Sequence, residues 1–317
     1  MKLISYRQGG VPRLGALDDE LGVIDLQRAY TLLLLARGEV PATAQALARG
    51  RVPNDADAFL AGGEPSLDAA RGAVEHVAGL EASEIRREAL VTPLADAALL
   101  PPIPRPPKII CVARNYAEHA KEAGLKVSEI PILFARFPAT LIGPGARIVV
   151  PSVSDQVDWE GELAVIIGRG GRHISRADAM GHVAGYSLFN DVTVRDYQFR
   201  VTQYTEGKNF HASGPFGPYL ALSDEIADPH SLELVTEIDG VEKQRASTSD
   251  MIFDIPTLIE HISAFVELEP GDVIPTGTPA GVGFKREPPE FLTAGQTVTV
   301  RIAGLGELSN PVVAEAA

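Results

Sequence analysis

Five prolines within seven residues divide this chain into two parts with different sequence patterns. Residues 101–107 read PPIPRPP, and a stretch of this composition is extended and cannot form the interior of a helix. We interpret it as the junction between a small N-terminal domain, residues 1–100, and a larger domain, residues 108–317. A surface loop within one domain is the alternative interpretation.

The first hundred residues are predicted to form a small α/β domain. Short strands are predicted at residues 2–6 and 22–26, and Leu- and Ala-rich helices at 31–36 and 43–49. Ser66 opens a further run with apolar residues at helical spacing and is the predicted N-cap of that helix. This part of the chain carries no candidate site.

After the junction, segments rich in Val, Ile and Leu are separated by Gly, Pro and Asp, which is typical of strands. The predicted strands are residues 108–112, 146–150, 162–167, 183–188, 232–238 and 298–302. The predicted helices are residues 116–123, 176–180 and 256–266, the last with Asp254 as its N-cap. Because strands outnumber helices and do not alternate regularly with them, a doubly wound sheet is disfavoured. The predicted fold class is α+β and β-rich, a mixed β-roll or sandwich with peripheral helices.

The charge balance excludes several classes of partner. There are 42 Asp and Glu against 28 Lys and Arg, a formal net charge of −14. Without a basic stripe to neutralise phosphates, neither nucleic acid nor an anionic membrane is an expected partner.

The N-terminus lacks the apolar core of a signal peptide, and the longest apolar run, residues 32–36, is far shorter than the ~20 residues of a membrane span. The sequence therefore predicts a soluble, cytoplasmic protein.

The segment DWEGELAVIIG, residues 158–168, places two glutamates at the start of a strong strand. Glu160 and Glu162 are two residues apart, so both carboxylates point to one face of the strand. Two solvated glutamates are the alternative, but the apolar run that follows indicates that the strand enters the core. Asp191 ends another apolar strand and adds a third carboxylate. Three oxygen ligands without a nearby Cys or His favour Mg²⁺ or Mn²⁺ over Zn²⁺.

The segment ICVARNYAEHAKE, residues 110–122, carries a candidate acid–base pair. His119 and Glu122 are three residues apart and therefore neighbours on one face of a helix. A carboxylate in that position orients an imidazole and raises its basicity. A solvent-exposed helix is the alternative. Cys111, the single cysteine, lies in the preceding apolar strand, where we expect a buried and inert thiol.

Two further segments supply groups suited to an anionic ligand. In EGKNFH, residues 206–211, Lys208 lies among glycine and aromatic residues, where it would polarise a carbonyl or enolate oxygen. In TGTPAGVG, residues 276–283, exposed backbone N–H groups and the Thr278 hydroxyl would bind a carboxylate. An ordinary glycine-rich loop is the alternative.

Taken together, these motifs resemble those of the fumarylacetoacetate hydrolase superfamily. The match consists of six segments in one order across about residues 105–315. The segments are KIICVARNYAEH, DWEGELAVIIG, HVAGYSLFNDVTVRDYQ, EGKNF, FGPYL and PGDVIPTGTPAGVG. The resemblance implies a mixed β-roll that is usually a homodimer.

The resemblance also implies roles for particular residues. The implied ligands of Mg²⁺ or Mn²⁺ are Glu160, Glu162 and Asp191, and the implied catalytic residues are His119, Glu122 and Lys208. The residues we assign to substrate binding are Arg114, Gly277 and Thr278. Four positions depart from what is usual in the family: Ala113, Trp159, Tyr204 and His211. These departures concern the shape of the pocket and leave the substrate open.

The predicted function is metal-dependent hydrolysis of a C–C bond in an acylpyruvate, such as a fumarylpyruvate-like compound, or a related 1,3-dicarbonyl acid. The ion and Lys208 would stabilise a pyruvate enolate, while His119 would activate water. The same enolate arises in the alternatives, which are decarboxylation or isomerisation of a 2-oxo acid of the oxaloacetate or 2-hydroxyhepta-2,4-diene-1,7-dioate type, as in aromatic catabolism. A further alternative is a non-catalytic binding protein on this fold. In each case the expected ligand is a small anionic 2-oxo acid.

Overall fold

A computed structural model of the protein describes residues 1–118 and 128–316 and confirms the predicted α+β, β-rich architecture. The strands form two large sheets and one short ribbon, and helices of the N-terminal part cover one side of the larger sheet. Within the described ranges, none of the helices combines the length and apolar character that a membrane crossing requires.

The described helices are α1 (Leu26–Ala36), α2 (Pro41–Arg51), α3 (Ala56–Ala61), α4 (Gly63–Ala78), α5 (Ala82–Arg87), α6 (Arg195–Gln198), α7 (Thr205–Lys208) and α8 (Ile255–Ser263). The described strands are β1 (Lys2–Gln8), β2 (Val11–Asp18), β3 (Gly22–Asp25), β4 (Val91–Thr92), β5 (Ala98–Leu99), β6 (Ile109–Ala113), β7 (Ile132–Arg136), β8 (Leu141–Ile142), β9 (Ile148–Val150), β10 (Val157–Asp158), β11 (Gly161–Ile167), β12 (Val183–Asn190), β13 (Thr193–Val194), β14 (Gly214–Leu222), β15 (Glu233–Ile238), β16 (Val241–Ser247), β17 (Val273–Pro275), β18 (Thr297–Ile302) and β19 (Gly306–Ala314).

The larger sheet runs across the proline-rich segment. Its main order is β4-β3-β2-β1-β14-β12-β11-β17-β6-β7, so the N-terminal hairpin β1–β2 extends the strands that follow the junction. Lys2 and Leu3 pair with Ala221 and Leu220 of β14. The division of the chain into two domains at residues 101–107 stays a prediction.

Strands β11 and β12 form the middle of this sheet and are buried almost throughout. One face of β11, which includes Val165, packs against residues of the second sheet such as Val300. The opposite face, which includes Ile166, packs in the same core as Phe59 of α3. Because both faces are covered, β11 is a continuous apolar run without polar alternation. Its only charged residue, Glu162, therefore stands out.

The second sheet has the order β16-β15-β18-β19-β9 and packs near the start of β11. A two-stranded ribbon, β10–β13, lies beside it. The ribbon pairs Asp158 with Thr193. It therefore brings the segment before Glu160 next to the segment after Asp191.

Several local predictions differ from the structure. The predicted helix at residues 176–180 is wrong, since only a turn of 3-10 helix, Ala179–His182, forms there. Ser66 lies inside α4, whose N-cap is Gly62, because Pro65 is accommodated in the first turn of the helix. The prediction missed β2, which contains Gly15. A Cβ at that position would lie 2.6 Å from Val23 Cγ1, so glycine permits the close pairing of β2 with β3.

Candidate active site

Three buried carboxylates meet where β11 begins and β12 ends. Glu160 precedes β11, Glu162 is its second residue, and Asp191 follows β12. The two strands are antiparallel, with Gly161 opposite Asn190, so these chain positions are neighbours. Ligand oxygens of the three side chains lie within 4.8 Å of one another. The arrangement matches the spacing argument made from the sequence.

The ammonium group of Lys208 lies between two of these carboxylates. Its Nζ donates to Glu160 Oε2 at 2.5 Å and to Asp191 Oδ2 at 2.6 Å. Burial on its own would lower the pKa of Lys208, but the carboxylates of Asp191 and Glu160 outweigh it and raise that pKa. Lys208 is therefore a charged group held at the site.

Two buried guanidinium groups complete the cluster. Arg195 forms an ion pair with Glu160 Oε1 at 2.7 Å and donates from Nε to Asp158 Oδ2 at 2.8 Å. Arg136 donates to Asp191 Oδ1, and to Ser213 Oγ at 2.6 Å. Each arginine thus fixes one carboxylate of the triad and leaves its other oxygen to Lys208.

Glu162 differs from its two neighbours in its partners. Among the described contacts of its carboxylate, the hydrogen bond comes from the backbone N–H of Gly277, at 2.8 Å, and not from a cation. Burial, together with the carboxylates of Asp191 and Glu160, raises the pKa of Glu162 well above its usual range. Low dielectric and like charge both favour the protonated form of this group.

The formal charges of the cluster show what it lacks. The four carboxylates (Glu160, Glu162, Asp191 and Asp158) face three cations (Lys208, Arg195 and Arg136), so the difference is one negative charge. A proton on Glu162 neutralises the cluster. A divalent cation in place of that proton would leave it with one positive charge, which suits an anionic ligand.

A cleft with about 540 Å³ of space, including its mouth, opens above the cluster. Its charged and polar lining includes Arg114, Arg195, Gln198 and Lys208. Its aromatic lining consists of Phe134, Phe199, Tyr204 and Phe284. Cations on aromatic walls form a pocket for a small anion with an apolar part.

Arg114 is placed in this cleft by an unusual backbone conformation. It directly follows β6 with φ of 57°, and its Nη2 donates to the Tyr204 hydroxyl at 2.7 Å. Tyr204 is one of the positions that depart from the family's usual residue. The structure thus brings Arg114 into the lining, and its role as a substrate contact stays a prediction.

The loop after β17 reaches the same cleft. Thr278 lines the cleft, whereas the N–H of Gly277 is already used by Glu162. Gly277 has φ of 101°, and a Cβ there would lie 2.8 Å from Asn115 Cβ. The geometry therefore makes Gly277 a support for a carboxylate of the triad.

Two predicted catalytic residues, His119 and Glu122, lie outside the described residues.

Cys111 is buried, as predicted, and burial together with Asp191 and Glu162 raises the pKa of its thiol well above the usual range. This state is that of an inert thiol.

Sequence reasoning missed both buried arginines and Asp158. Arg195 has a usable local signal, since it is a cation in the motif HVAGYSLFNDVTVRDYQ four residues after Asp191. Arg136 lies on β7, far from the triad in sequence, and only the pairing of strands brings it there.

The chain is similar to a known protein family, to curated relatives and to solved structures. The sequence matches the family described as fumarylacetoacetate (FAA) hydrolase, C-terminal, over residues 108–313. The human mitochondrial oxaloacetate tautomerase FAHD2A is 44% identical over 225 residues, 70% of this chain and 72% of the relative. A solved structure of a putative HpcE protein from Mycobacterium smegmatis has a TM-score of 0.80 at 33% identity and covers 100% of both chains. The structure of 5-carboxymethyl-2-hydroxymuconate delta-isomerase from Mycobacterium smegmatis has a TM-score of 0.63 at 39% identity, covering 71% of this chain and 83% of that one.

Proposed function

Because the chain belongs to the fumarylacetoacetate hydrolase family, we propose that it is a metal-dependent isomerase that interconverts the keto and enol forms of a small 2-oxo dicarboxylate such as oxaloacetate. The observation that carries this proposal is the buried triad of carboxylates with Lys208 at the floor of a cationic cleft. The family and the fold predicted from the motifs are confirmed.

The comparisons change the order of the predicted activities. The tautomerase and the delta-isomerase both carry names of isomerising enzymes, and neither is named a hydrolase. They support the predicted alternative, isomerisation or decarboxylation of a 2-oxo acid, better than hydrolysis of a C–C bond. We therefore propose isomerisation, and treat decarboxylation as an outcome that the assay must separate.

The donor set fits a hard divalent cation. Three carboxylates supply oxygen ligands only, and the Lys208 ammonium at 2.5 Å and 2.6 Å shows that the site accommodates positive charge between them. Glu160, Glu162 and Asp191 would hold Mg²⁺ or Mn²⁺. When bound, such an ion supplies Lewis-acid stabilisation of a developing enolate.

The cations of the cleft would anchor the two carboxylates of the substrate. Arg114 presents a guanidinium group, which binds a planar carboxylate through paired hydrogen bonds. Arg195 is paired with Asp158 and Glu160 and would contribute its positive charge. Phe199 and Phe284 would cover the carbon chain and limit its hydration. Binding in this way positions C3, the methylene carbon next to the keto group, for proton transfer.

The reaction requires two proton movements and no change in oxidation state. In the direction of the enol, a proton leaves C3 and one arrives on the C2 oxygen, so the double bond moves from C=O to C=C. The positive charge of Lys208 would stabilise the enolate formed between these steps. The sequence-predicted dyad, His119 oriented by Glu122, would carry the proton.

The test uses a freshly dissolved enol form of oxaloacetate and follows the loss of its ultraviolet absorbance. We expect Mg²⁺ or Mn²⁺ to support ketonisation faster than the buffer reaction and EDTA to abolish it. Replacing Glu162 by Gln should slow the metal-dependent rate by about 10–100-fold or more, because a ligand of the ion is lost. The matched control, Glu206→Gln, changes an exposed glutamate close to Lys208 and should retain the wild-type rate.

Parallel measurements of pyruvate and of acylpyruvate loss identify the chemistry. Metal-dependent formation of pyruvate at the rate of enol loss would contradict isomerisation and favour decarboxylation. Cleavage of acylpyruvates without enol loss would favour the hydrolysis predicted from the sequence. No metal-dependent consumption of any of these compounds would favour a binding protein.

The predicted location and assembly stay predictions. The human relative is named as mitochondrial, so the cytoplasmic location inferred from the sequence has no support from it. A homodimer, implied by the family resemblance, and the absence of nucleic-acid and membrane partners are likewise proposals.

A further inference from the structure

The backbone N–H and C=O of Gly161, the residue between the two glutamates of the triad, are bound by side chains that do not belong to strands of the larger sheet. We infer that Gln244 and Thr278 are positioning residues that fix Gly161, and with it the spacing of Glu160 and Glu162 as metal ligands. This inference rests on the metal site of the proposed function. It assigns a role to Gln244, on β16 of the second sheet, and a different role to Thr278 from the one predicted.

The need for such support arises where strand β17 stops. Along its edge facing β17, β11 is hydrogen-bonded as far as Leu163, whose carbonyl accepts from Thr276 N–H at 2.9 Å. The chain then turns away at Gly277. Gly161 is two residues before Leu163, so its N–H and C=O face the same edge beyond the end of the partner strand.

Side chains replace the missing strand at Gly161. The Oε1 atom of Gln244 accepts from Gly161 N–H at 3.0 Å. The hydroxyl of Thr278 donates to the carbonyl oxygen of Gly161 at 2.9 Å. Both backbone groups of this buried residue are therefore satisfied, as buried polar groups must be.

The orientation of the Gln244 amide is fixed by its neighbours. Gly161 N–H is only a donor and the Pro279 carbonyl only an acceptor, so Oε1 must face the first and Nε2 the second, the latter at 2.9 Å. The remaining N–H of Nε2 donates to Thr278 Oγ1 at 2.8 Å. Gln244 is buried, and both of its donor hydrogens are used.

This network determines what Thr278 can offer to a ligand. Its hydroxyl accepts from Gln244 and donates its single hydrogen to Gly161, so that hydrogen is not available to a substrate carboxylate. The sequence predicts that the Thr278 hydroxyl binds a substrate carboxylate. The structure instead assigns its donor capacity to the backbone between the glutamates.

Close packing at Gly161 explains why a glycine separates the two glutamates. A Cβ at position 161 would lie 2.1 Å from Thr236 Oγ1 and 3.2 Å from Val300 Cγ1. Thr236 and Val300 lie on β15 and β18, so the second sheet approaches the backbone of β11 directly. Gln244 belongs to the same sheet and is held at this short distance by its strand.

The experiment measures metal affinity without substrate. The full-length protein is freed of metal with EDTA, dialysed and titrated with Mn²⁺, and the free ion is followed by electron paramagnetic resonance. Gln244→Leu and Thr278→Val should each raise the Kd for Mn²⁺ by about 10–100-fold, the usual effect of losing an outer-shell partner. Thr278→Ser keeps the hydroxyl and should stay within about threefold of the wild type.

A matched control separates positioning from general stability. Asn310, on β19 of the second sheet, is a buried amide that donates to the carbonyls of Gly143 and Ala146 at 2.9 Å and 2.8 Å. Asn310→Leu should lower thermal stability and leave the Mn²⁺ affinity unchanged. If Gln244→Leu does not fold, Thr278→Val still provides the test, because it preserves the volume and shape of the side chain.

The outcomes separate this inference from the proposed function. Folded Gln244→Leu and Thr278→Val proteins that bind Mn²⁺ as tightly as the wild type would overturn the positioning role and leave the metal site standing. A wild-type protein that binds no Mn²⁺ would overturn the metal site and this role with it.

Discussion

At the scale of single residues, Lys208 occupies the position of a compensating cation. Its ammonium contacts Glu160 and Asp191, which are also the candidate metal ligands. The ammonium and a divalent ion therefore compensate the same buried charge. Removing a buried charge without a replacement is strongly destabilising, whereas a replacement cation restores the balance.

This relation predicts the behaviour of Lys208→Met. In metal-free protein the substitution should cost about 3–5 kcal/mol of unfolding free energy, because two buried carboxylates each lose one of their two cationic partners. Mg²⁺ or Mn²⁺ should recover more stability in the variant than it adds to the wild type, as measured by chemical unfolding. Lys108→Met is the control. Lys108 lies outside the site and forms an ion pair with Asp272, at an N–O distance of 3.1 Å. Metal should not restore the stability that this variant loses. Equal metal effects in Lys208→Met and the wild type would contradict shared compensation.

Glu162 is the residue whose protonation should respond to metal. Its pKa is raised by burial and by the carboxylates of Asp191 and Glu160, so the folded metal-free protein binds this proton more tightly than the unfolded chain does. Stability should then fall as the pH rises from the ordinary pKa of 4.5 through the raised value. Metal removes the proton and should flatten this decline.

Chemical unfolding at a series of pH values, with EDTA or with Mg²⁺, measures this linkage. We expect the difference between the two curves to grow with pH in the wild type. In Glu162→Gln the EDTA curve should lose the decline, because the titrating group is gone. A wild-type decline that persists unchanged with saturating Mg²⁺ would show that another group causes it.

The residues of the triad were predictable from the sequence because their signal is local. The spacing of Glu160 and Glu162 predicts a shared strand face, and Asp191 comes at the end of an apolar run. Arg136 was not predictable, since it lies 55 residues before Asp191 and reaches it through strand pairing. The partners of a buried charge depend on topology, which a single sequence does not reveal directly.

At the scale of elements, the turn at Gly277 connects the end of β17, an inner strand of the larger sheet, to the site. It has φ of 101°, and Asn115 Cβ and the Val112 carbonyl would lie 2.8 Å and 3.0 Å from a Cβ at this position. Its N–H supports Glu162. The turn thus needs glycine for its conformation and for space.

Gly277→Ala should therefore destabilise the protein and weaken metal binding. The left-handed conformation alone costs about 1–2 kcal/mol, and displacement of the turn would take the N–H away from Glu162. Gly295→Ala is the matched control, since Gly295 has φ of 97° and open space around it. It should lose stability to a similar backbone strain and keep its Mn²⁺ affinity. Loss of Mn²⁺ affinity in both variants would indicate a global effect in place of a local one.

The elements around the site were predictable to different degrees. Continuous apolar runs such as β11 and β12 identified themselves, because both faces are buried. Strand β16 was not predicted, since its burial is confined to Gln244 and its other residues are mostly polar and are partly or fully exposed. The side chain that supports the triad from the second sheet therefore lies in a segment with little strand signal.

At the scale of the whole molecule, the larger sheet continues across the proline-rich segment. Residues 101–107 form neither helix nor strand and consist mostly of bends, yet β1 pairs with β14 and continues the same sheet. Ser5 Oγ donates to the carbonyl of Pro102 at 2.8 Å, and Ile103 is buried. The prolines showed where the composition changes, but composition holds no information on which strands pair across the change.

The net charge of the chain is −14, whereas cations line the cleft. The chain as a whole repels anions, whereas the cleft presents Arg114, Arg195 and Lys208. A divalent ion on the triad would add to this local positive potential. A dianionic 2-oxo acid would therefore be attracted to the site although the chain as a whole is negative.

We propose that this site moves a proton at the carbon next to the keto group of a 2-oxo dicarboxylate. The most direct measurement is the rate at which deuterium from D₂O enters C3 of oxaloacetate, followed by nuclear magnetic resonance with Mg²⁺ or with EDTA. We expect exchange that is faster than the buffer reaction, depends on metal, is lost in Glu162→Gln and is not matched by formation of pyruvate. Exchange at the buffer rate with folded, metal-loaded protein would contradict it.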